Sequence, residues 1–187
     1  NVRTMKLNNI MMAAALAFGL SSTAFAADQG HGKVTFTGSI IDAPCSISPE
    51  AIDQTVELGQ ISKVALLNGG KSTPRNFAID LENCTFENDA VTGNPLKNKV
   101  TLTFTGMESK ANNGLLGITG TAQGASVAIT DGSGQVIKLG KATKAQELQN
   151  GSNSLNFAAY LQGDVASGAV LTEGEFQSVA DFTLAYN

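Results

Sequence analysis

Gly30-His31-Gly32-Lys33-Val34-Thr35-Phe36-Thr37-Gly38-Ser39-Ile40-Ile41-Asp42-Ala43-Pro44-Cys45 is the stretch around which the rest of the chain is read. Its first half alternates strictly. Gly30, Gly32, Val34, Phe36 and Gly38 fall on one face, and His31, Lys33, Thr35 and Thr37 on the other. Period two is the signature of a half-buried β-strand, and Val, Thr and Phe favour that conformation. Three of the five residues on the apolar face are glycine. Glycine weakens a strand but lets another backbone or a bulky side chain approach closely. The expectation is a strand shaped for a tight groove, with Val34 and Phe36 as apolar plugs. An ordinary first strand of a β-sandwich gives the same pattern, and the choice between the two is made at the far end of the chain.

Upstream of this stretch the sequence reads as an export signal, residues 1–26. Arg3 and Lys6 form a basic start, Ile10 to Leu20 is an apolar run of 11 residues, and Ala24-Phe25-Ala26 fits the small-x-small cleavage pattern. The run is too short for a membrane span, which needs about 20 residues. Met5 is the expected start codon product, and cleavage after Ala26 leaves 161 residues, a natural size for one domain with a real core. Without Arg3 and Lys6 the chain keeps 10 basic residues against 16 acidic ones. That balance argues against binding a phosphate backbone, so no nucleic-acid partner is expected.

Cys45 and Cys84 are the only cysteines. In an exported chain they are expected to form one disulfide. Two thiols and one distant histidine cannot supply the four ligands of a structural metal site.

Downstream, strands and turns alternate. Pro44 cannot donate to a ladder, so Ile40 to Cys45 belongs at a sheet edge or strand switch. Ser48-Pro49-Glu50 reads as a turn, Thr55 to Leu58 as a short strand, and Asn68 to Pro74 as a loop. Phe77, Ile79 and Leu81 alternate in a strand that delivers Cys84 towards Cys45 across the core. Glu87 to Asn98 and Lys110 to Gly114 are polar loops. Val100, Leu102 and Phe104 point inward from a third strand. Val127 and Ile129 precede a hairpin turn at Asp131-Gly132-Ser133-Gly134, from which Val136, Ile137 and Leu139 return. Leu155, Phe157, Ala159 and Leu161 form a long strand, Gly163 to Gly168 turns the chain, and Val170 to Phe176 leads to the last strand. No window outside the signal shows a sustained 3.6-residue period. The fold class is all-β, an immunoglobulin-like sandwich.

The last strand decides the reading. Ala180, Phe182, Leu184 and Tyr186 alternate with Asp181, Thr183, Ala185 and Asn187 to the end of the sequence. A sandwich whose chain is spent at this point is expected to lack its closing strand, leaving an apolar groove and an unpaired edge.

These residues resemble the pilin subunits of Gram-negative chaperone–usher fimbriae. The resemblance rests on Gly32-Lys33-Val34-Thr35-Phe36-Thr37-Gly38, on Asp42-Ala43-Pro44-Cys45-Ser46-Ile47, on Cys84, on Gly174, and on the Phe182/Leu184/Tyr186 ending. It covers the whole mature chain and is closest in kind to P-pilus-type major shaft subunits and mannose-resistant Proteus-like fimbriae. It implies an incomplete immunoglobulin-like sandwich, residues 39–187, completed by a donated strand, and an N-terminal donor-strand extension, residues 27–38. It further implies that Gly32, Val34 and Phe36 are donor residues. Gly174, Phe182, Leu184 and Tyr186 would form the acceptor groove and chaperone edge, with the terminal carboxylate on Asn187 anchored by the chaperone. The implied partners are identical or related pilin subunits, a periplasmic chaperone and an outer-membrane usher, and the implied location is an extracellular fimbria reached through the periplasm. The mechanism is β-strand addition.

Catalytic patterns do not emerge. His31 is the single histidine and lies in the donor segment. There is no Gly-x-Ser-x-Gly elbow, and Gly114 to Gly120 lacks phosphate-loop spacing and its lysine. Asp80/Glu82 and Glu173/Glu175 read as solvated strand faces rather than acid–base pairs. A non-enzyme without cofactor is therefore expected. Two other roles compete with a shaft subunit: a minor adaptor or terminator, which would share every motif, and a tip adhesin, which would carry an additional lectin domain.

Overall fold

A computed structural model describes residues 30–165 and 169–187. The expected signal, 1–26, the first three residues of the expected 27–38 extension and the second half of the Gly163–Gly168 turn lie outside the described residues. The chain divides after Ile40 into two units. In the first, residues 30–40 carry no helix or strand. Val34 is 75% exposed and Phe36 90% exposed. Among the described residues the period-two alternation of this segment is not accompanied by a strand, because alternation alone cannot close a hydrogen-bond ladder.

The second unit contains β1 (Ser46–Ile47), α1 (Pro49–Ile52), α2 (Lys63–Leu66), β2 (Arg75–Cys84), β3 (Lys99–Gly106), β4 (Thr119–Gly120), β5 (Ala125–Asp131), β6 (Val136–Ile137), β7 (Gln146–Glu147), β8 (Gly151–Gly163), β9 (Phe176–Gln177) and β10 (Ala180–Tyr186). One sheet has the order β1-β2-β8-β5-β6, the other β10-β3-β7, and β4 and β9 form a two-stranded ribbon. All the strand pairings are antiparallel. The inward residues read from the sequence meet between the two sheets: Ile79, Leu81, Val100, Leu102 and Leu155 are completely or almost completely buried. Phe157 stacks on Phe77 within its own sheet (centroids 5.6 Å apart) and joins the other sheet by meeting Phe104 edge-on (5.3 Å).

Three local expectations are corrected. Thr55 to Leu58 forms no strand; Val56 and Leu58 are half-buried while Thr55 and Glu57 are exposed. The alternation places the side chains correctly, but among the described residues no strand pairs with this backbone. Ser48 to Glu50 is not a simple turn, because Ser48 caps α1 and Pro49 opens it. At four residues each, α1 and α2 are too short to display a helical period. Finally, the cysteines do not meet across the core. Pairing of Ser46 with Glu82 puts Cys45 beside Cys84 within one sheet, with Cα atoms 4.1 Å apart and the disulfide formed.

One glycine fixes how α2 packs. A Cβ built on Gly163, at the end of β8, would overlap the Leu66 carbonyl oxygen and stand 2.9 Å from its carbon. The Gly163 amide also donates to the Gly70 carbonyl at 3.0 Å. Backbone cannot yield as a flexible side chain does, so Gly163→Ala is expected to destabilise the protein by about 1–3 kcal/mol, the usual cost of overpacking. A thermal melt superimposable on that of the parent chain would show that the contact does not constrain the fold.

Candidate functional site: a groove beside the last strand

The edge begins with β10. Among the described residues it pairs with β3 alone, in the register Ala180↔Gly106 to Tyr186↔Val100. Asn187 and Lys99 exchange both backbone hydrogen bonds, at 2.8 and 3.2 Å. In an antiparallel ladder such pairs recur at every second residue, so Asp181, Thr183 and Ala185 also direct their backbone groups to β3. The N–H and C=O groups of Ala180, Phe182, Leu184 and Tyr186 consequently face the open side. The same four residues turn half-buried side chains to the core, while Asp181, Thr183 and Ala185 are exposed. One period-two pattern therefore supplies both an unpaired backbone edge and an apolar wall.

Beside this edge lies an open cleft of about 1120 Å³. Its floor includes Phe77, Ile79, Phe104, Val127, Ile129 and Leu161. Residues 51–61 run along one lip and 171–182 along the other. A cleft that exposes the flank of the principal core means that the sandwich is unfinished there.

Of the five expected acceptor residues, Gly174 and Phe182 line the cleft. Leu184 and Tyr186 continue the same face of β10 and pack against the core beyond it. Asn187 lies in a separate depression of about 460 Å³, with Lys97 and Lys99. Gly174 has φ +150°, and a Cβ there would overlap Thr121 and crowd the Ala122 amide. The neighbouring Glu175 carbonyl accepts from the Thr121 and Ala122 amides at 3.0 and 3.1 Å. Gly174 thus lets the lip seat directly on the 121–122 backbone. Burial pushes the Tyr186 phenol above its ordinary range, and among the described residues its buried hydroxyl has no hydrogen-bond partner. With the folded pKa raised, its contribution to stability is present below the free phenol's pKa of about 10 and is lost as pH rises through the folded value. The opposite lip escaped sequence reading; the half-buried Val56 and Leu58 were its available signal.

The disulfide covers the β1–β2 edge, where the Thr85 amide also donates to the Pro44 carbonyl at 3.0 Å. The bridged residues are 39 apart, so the constraint on the unfolded chain is worth roughly 3–4 kcal/mol in the chain-entropy description. Cys84→Ala is expected to lower stability by about that amount. The readouts are alkylation of the folded protein with mass spectrometry, in which free thiols would contradict the bridge, and a thermal melt of the variant, in which an unchanged midpoint would contradict its contribution.

An immunoglobulin-like sandwich with a bare terminal strand and an open flank is the fold of a pilin subunit, a domain without its final strand. Comparison with known proteins agrees. A family model described as "Fimbrial protein" matches residues 34–187, and the chain belongs to the fimbrial protein family. It is 65% identical to the Fimbria A protein of Serratia marcescens, over 97% of this chain and 99% of that one. It is 52% identical to the Major MR/P fimbria protein of Proteus mirabilis, over 97% and 99%. Among solved structures it resembles the P pilus rod subunit PapA, at 30% identity and TM-score 0.66, covering 78% of this chain and all of that one. It also resembles a subunit of a chaperone–usher pilus solved to explain rod uncoiling, at 36% identity and TM-score 0.72, covering 85% and 97%.

Proposed function

We propose that this chain is a structural subunit of a surface fimbria that polymerises into the shaft by donor-strand exchange and so supports adhesion to host cells. The observation that carries the reading is the cleft beside β10, where an apolar floor and an unpaired backbone edge coincide. Residues 27–38 act as the donor extension. Val34 and Phe36 enter the groove of a neighbouring copy, and Gly32 leaves room where the two backbones approach. Gly174, Phe182, Leu184 and Tyr186 form the receiving wall, and Asn187 presents the terminal carboxylate to a chaperone. Before polymerisation a periplasmic chaperone covers the edge, and an outer-membrane usher is where the exchange takes place. The chemistry is non-covalent strand addition, with backbone bonds giving affinity and side-chain pockets giving register. The family is one of structural fimbrial proteins, and we read this member as non-enzymatic.

High identity to a major fimbrial protein over nearly the full chain favours the shaft over the tip. Electron microscopy of cells deleted for this gene tests the assignment. Loss of whole filaments is the expected result. Normal rods with bare tips would instead assign the chain to a minor adaptor.

A further inference from the structure

The cleft's apolar floor would admit many extended segments carrying two apolar residues, so burial alone gives little discrimination. Its mouth is more particular. Five carboxylates line it: Asp53 and Glu57 from one lip, and Glu173, Glu175 and Asp181 from the other. All five residues are exposed. Among the described residues Lys63 is the single cation of the lining, and it pairs with Glu173 at 3.6 Å. Arg75 lies outside the lining, its guanidinium 3.9 Å from where a Cβ on Gly59 would stand. Both lips are therefore acidic, and a strand laid between them meets carboxylates on either side whichever way it runs.

Residues 30–41 have the complementary composition. They contain Lys33 and no acidic residue, and Lys33 lies on the polar face, opposite Val34 and Phe36. A donor that buries Val34 and Phe36 in the floor must turn Lys33 up towards the mouth. We infer that the acidic mouth of the groove selects a basic donor segment, so that Lys33 of a second copy of this chain is a specificity-determining residue for strand uptake. The inference rests on the donor-strand reading above and adds to it the charge that distinguishes one donor from another. Exposed pairs of this kind act more on association rate and on rejection of wrong partners than on final affinity. The effect is therefore expected in the kinetics of exchange and is screened by salt.

The test uses the chaperone-bound subunit and synthetic peptides of residues 30–41, with displacement of the chaperone followed on native gels. At low salt the parent peptide is expected to enter about tenfold faster than its Lys33→Glu counterpart, and the two rates should converge at high salt. Comparing peptides at each salt concentration cancels any effect of salt on chaperone release itself. In a subunit carrying Glu175→Lys and Asp181→Lys the lining holds as many cations as carboxylates, and the preference should be lost. Equal rates for the two peptides at low salt would overturn the inference while leaving strand exchange intact. Failure of both peptides to enter at any salt concentration would overturn the donor-strand reading and this inference with it.

Discussion

A copy of residues 30–38 joined to the C-terminus through a short flexible linker is expected to raise the melting temperature by roughly 6–24 °C and to keep the chain monomeric. The donated strand gains on two counts. Val34 is 75% exposed and Phe36 90% exposed, and burying each is worth roughly 1.5–3 kcal/mol. The open edge of β10 supplies backbone donors and acceptors at Ala180, Phe182, Leu184 and Tyr186 for a new ladder. For a domain of this size each kcal/mol moves the transition by about 2–4 °C. The linked strand competes without the translational cost of a second molecule, because its effective concentration is in the millimolar range for a short flexible linker. The unmodified chain, with the same groove open, is expected to be unstable as a monomer and to associate through its edge and apolar cleft. Melting curves of the two proteins, with light scattering to record size, check both statements. An unmodified chain that melts as high as the extended one would mean that the groove does not limit stability.

The parts of this fold that were legible in the sequence are those in which burial and period coincide. Phe77/Ile79/Leu81, Val100/Leu102/Phe104 and Leu155/Phe157 each show one buried face, and the structure places all of them in or against the one core. The bare edge could be expected from the alternation of Ala180 to Tyr186. Thr55 to Leu58 illustrates what remained hidden. Its alternation is real and its side chains line the groove, yet a strand also requires a partner, which a local pattern does not contain. The path of the disulfide was hidden for a related reason. Spacing shows that two thiols are present, whereas the Ser46↔Glu82 register determines whether they meet within a sheet or between sheets. The acidic lips were the least visible feature. Asp53 and Glu57 are more than 100 residues before Glu173, Glu175 and Asp181, and only the folded cleft brings them to one mouth.

Gly32→Leu and Tyr186→Ala are each expected to reduce filaments at least tenfold, but at different steps. A Cβ on Gly32 would meet nothing within 4 Å in the chain itself, so the leucine does not disturb folding. Its obstruction arises only when the segment lies in another copy's groove, where the extra side chain stands between backbones that must approach. Gly32→Leu subunits should therefore accumulate in the periplasm bound to the chaperone. Tyr186 is different because it is half-buried on β10 and packs against the core of its own subunit. Truncating it removes part of the receiving wall, at a cost of about 2 kcal/mol, scaled down from the 3–5 kcal/mol typical of a fully buried aromatic. In a domain already open on one flank that loss falls on the edge the chaperone must grasp, and the subunit should be degraded rather than captured. Co-purification with the chaperone, measured beside a filament count for both variants, separates the two outcomes. If both fail at the same step, donor and acceptor roles are not divided between the two ends of the chain as proposed.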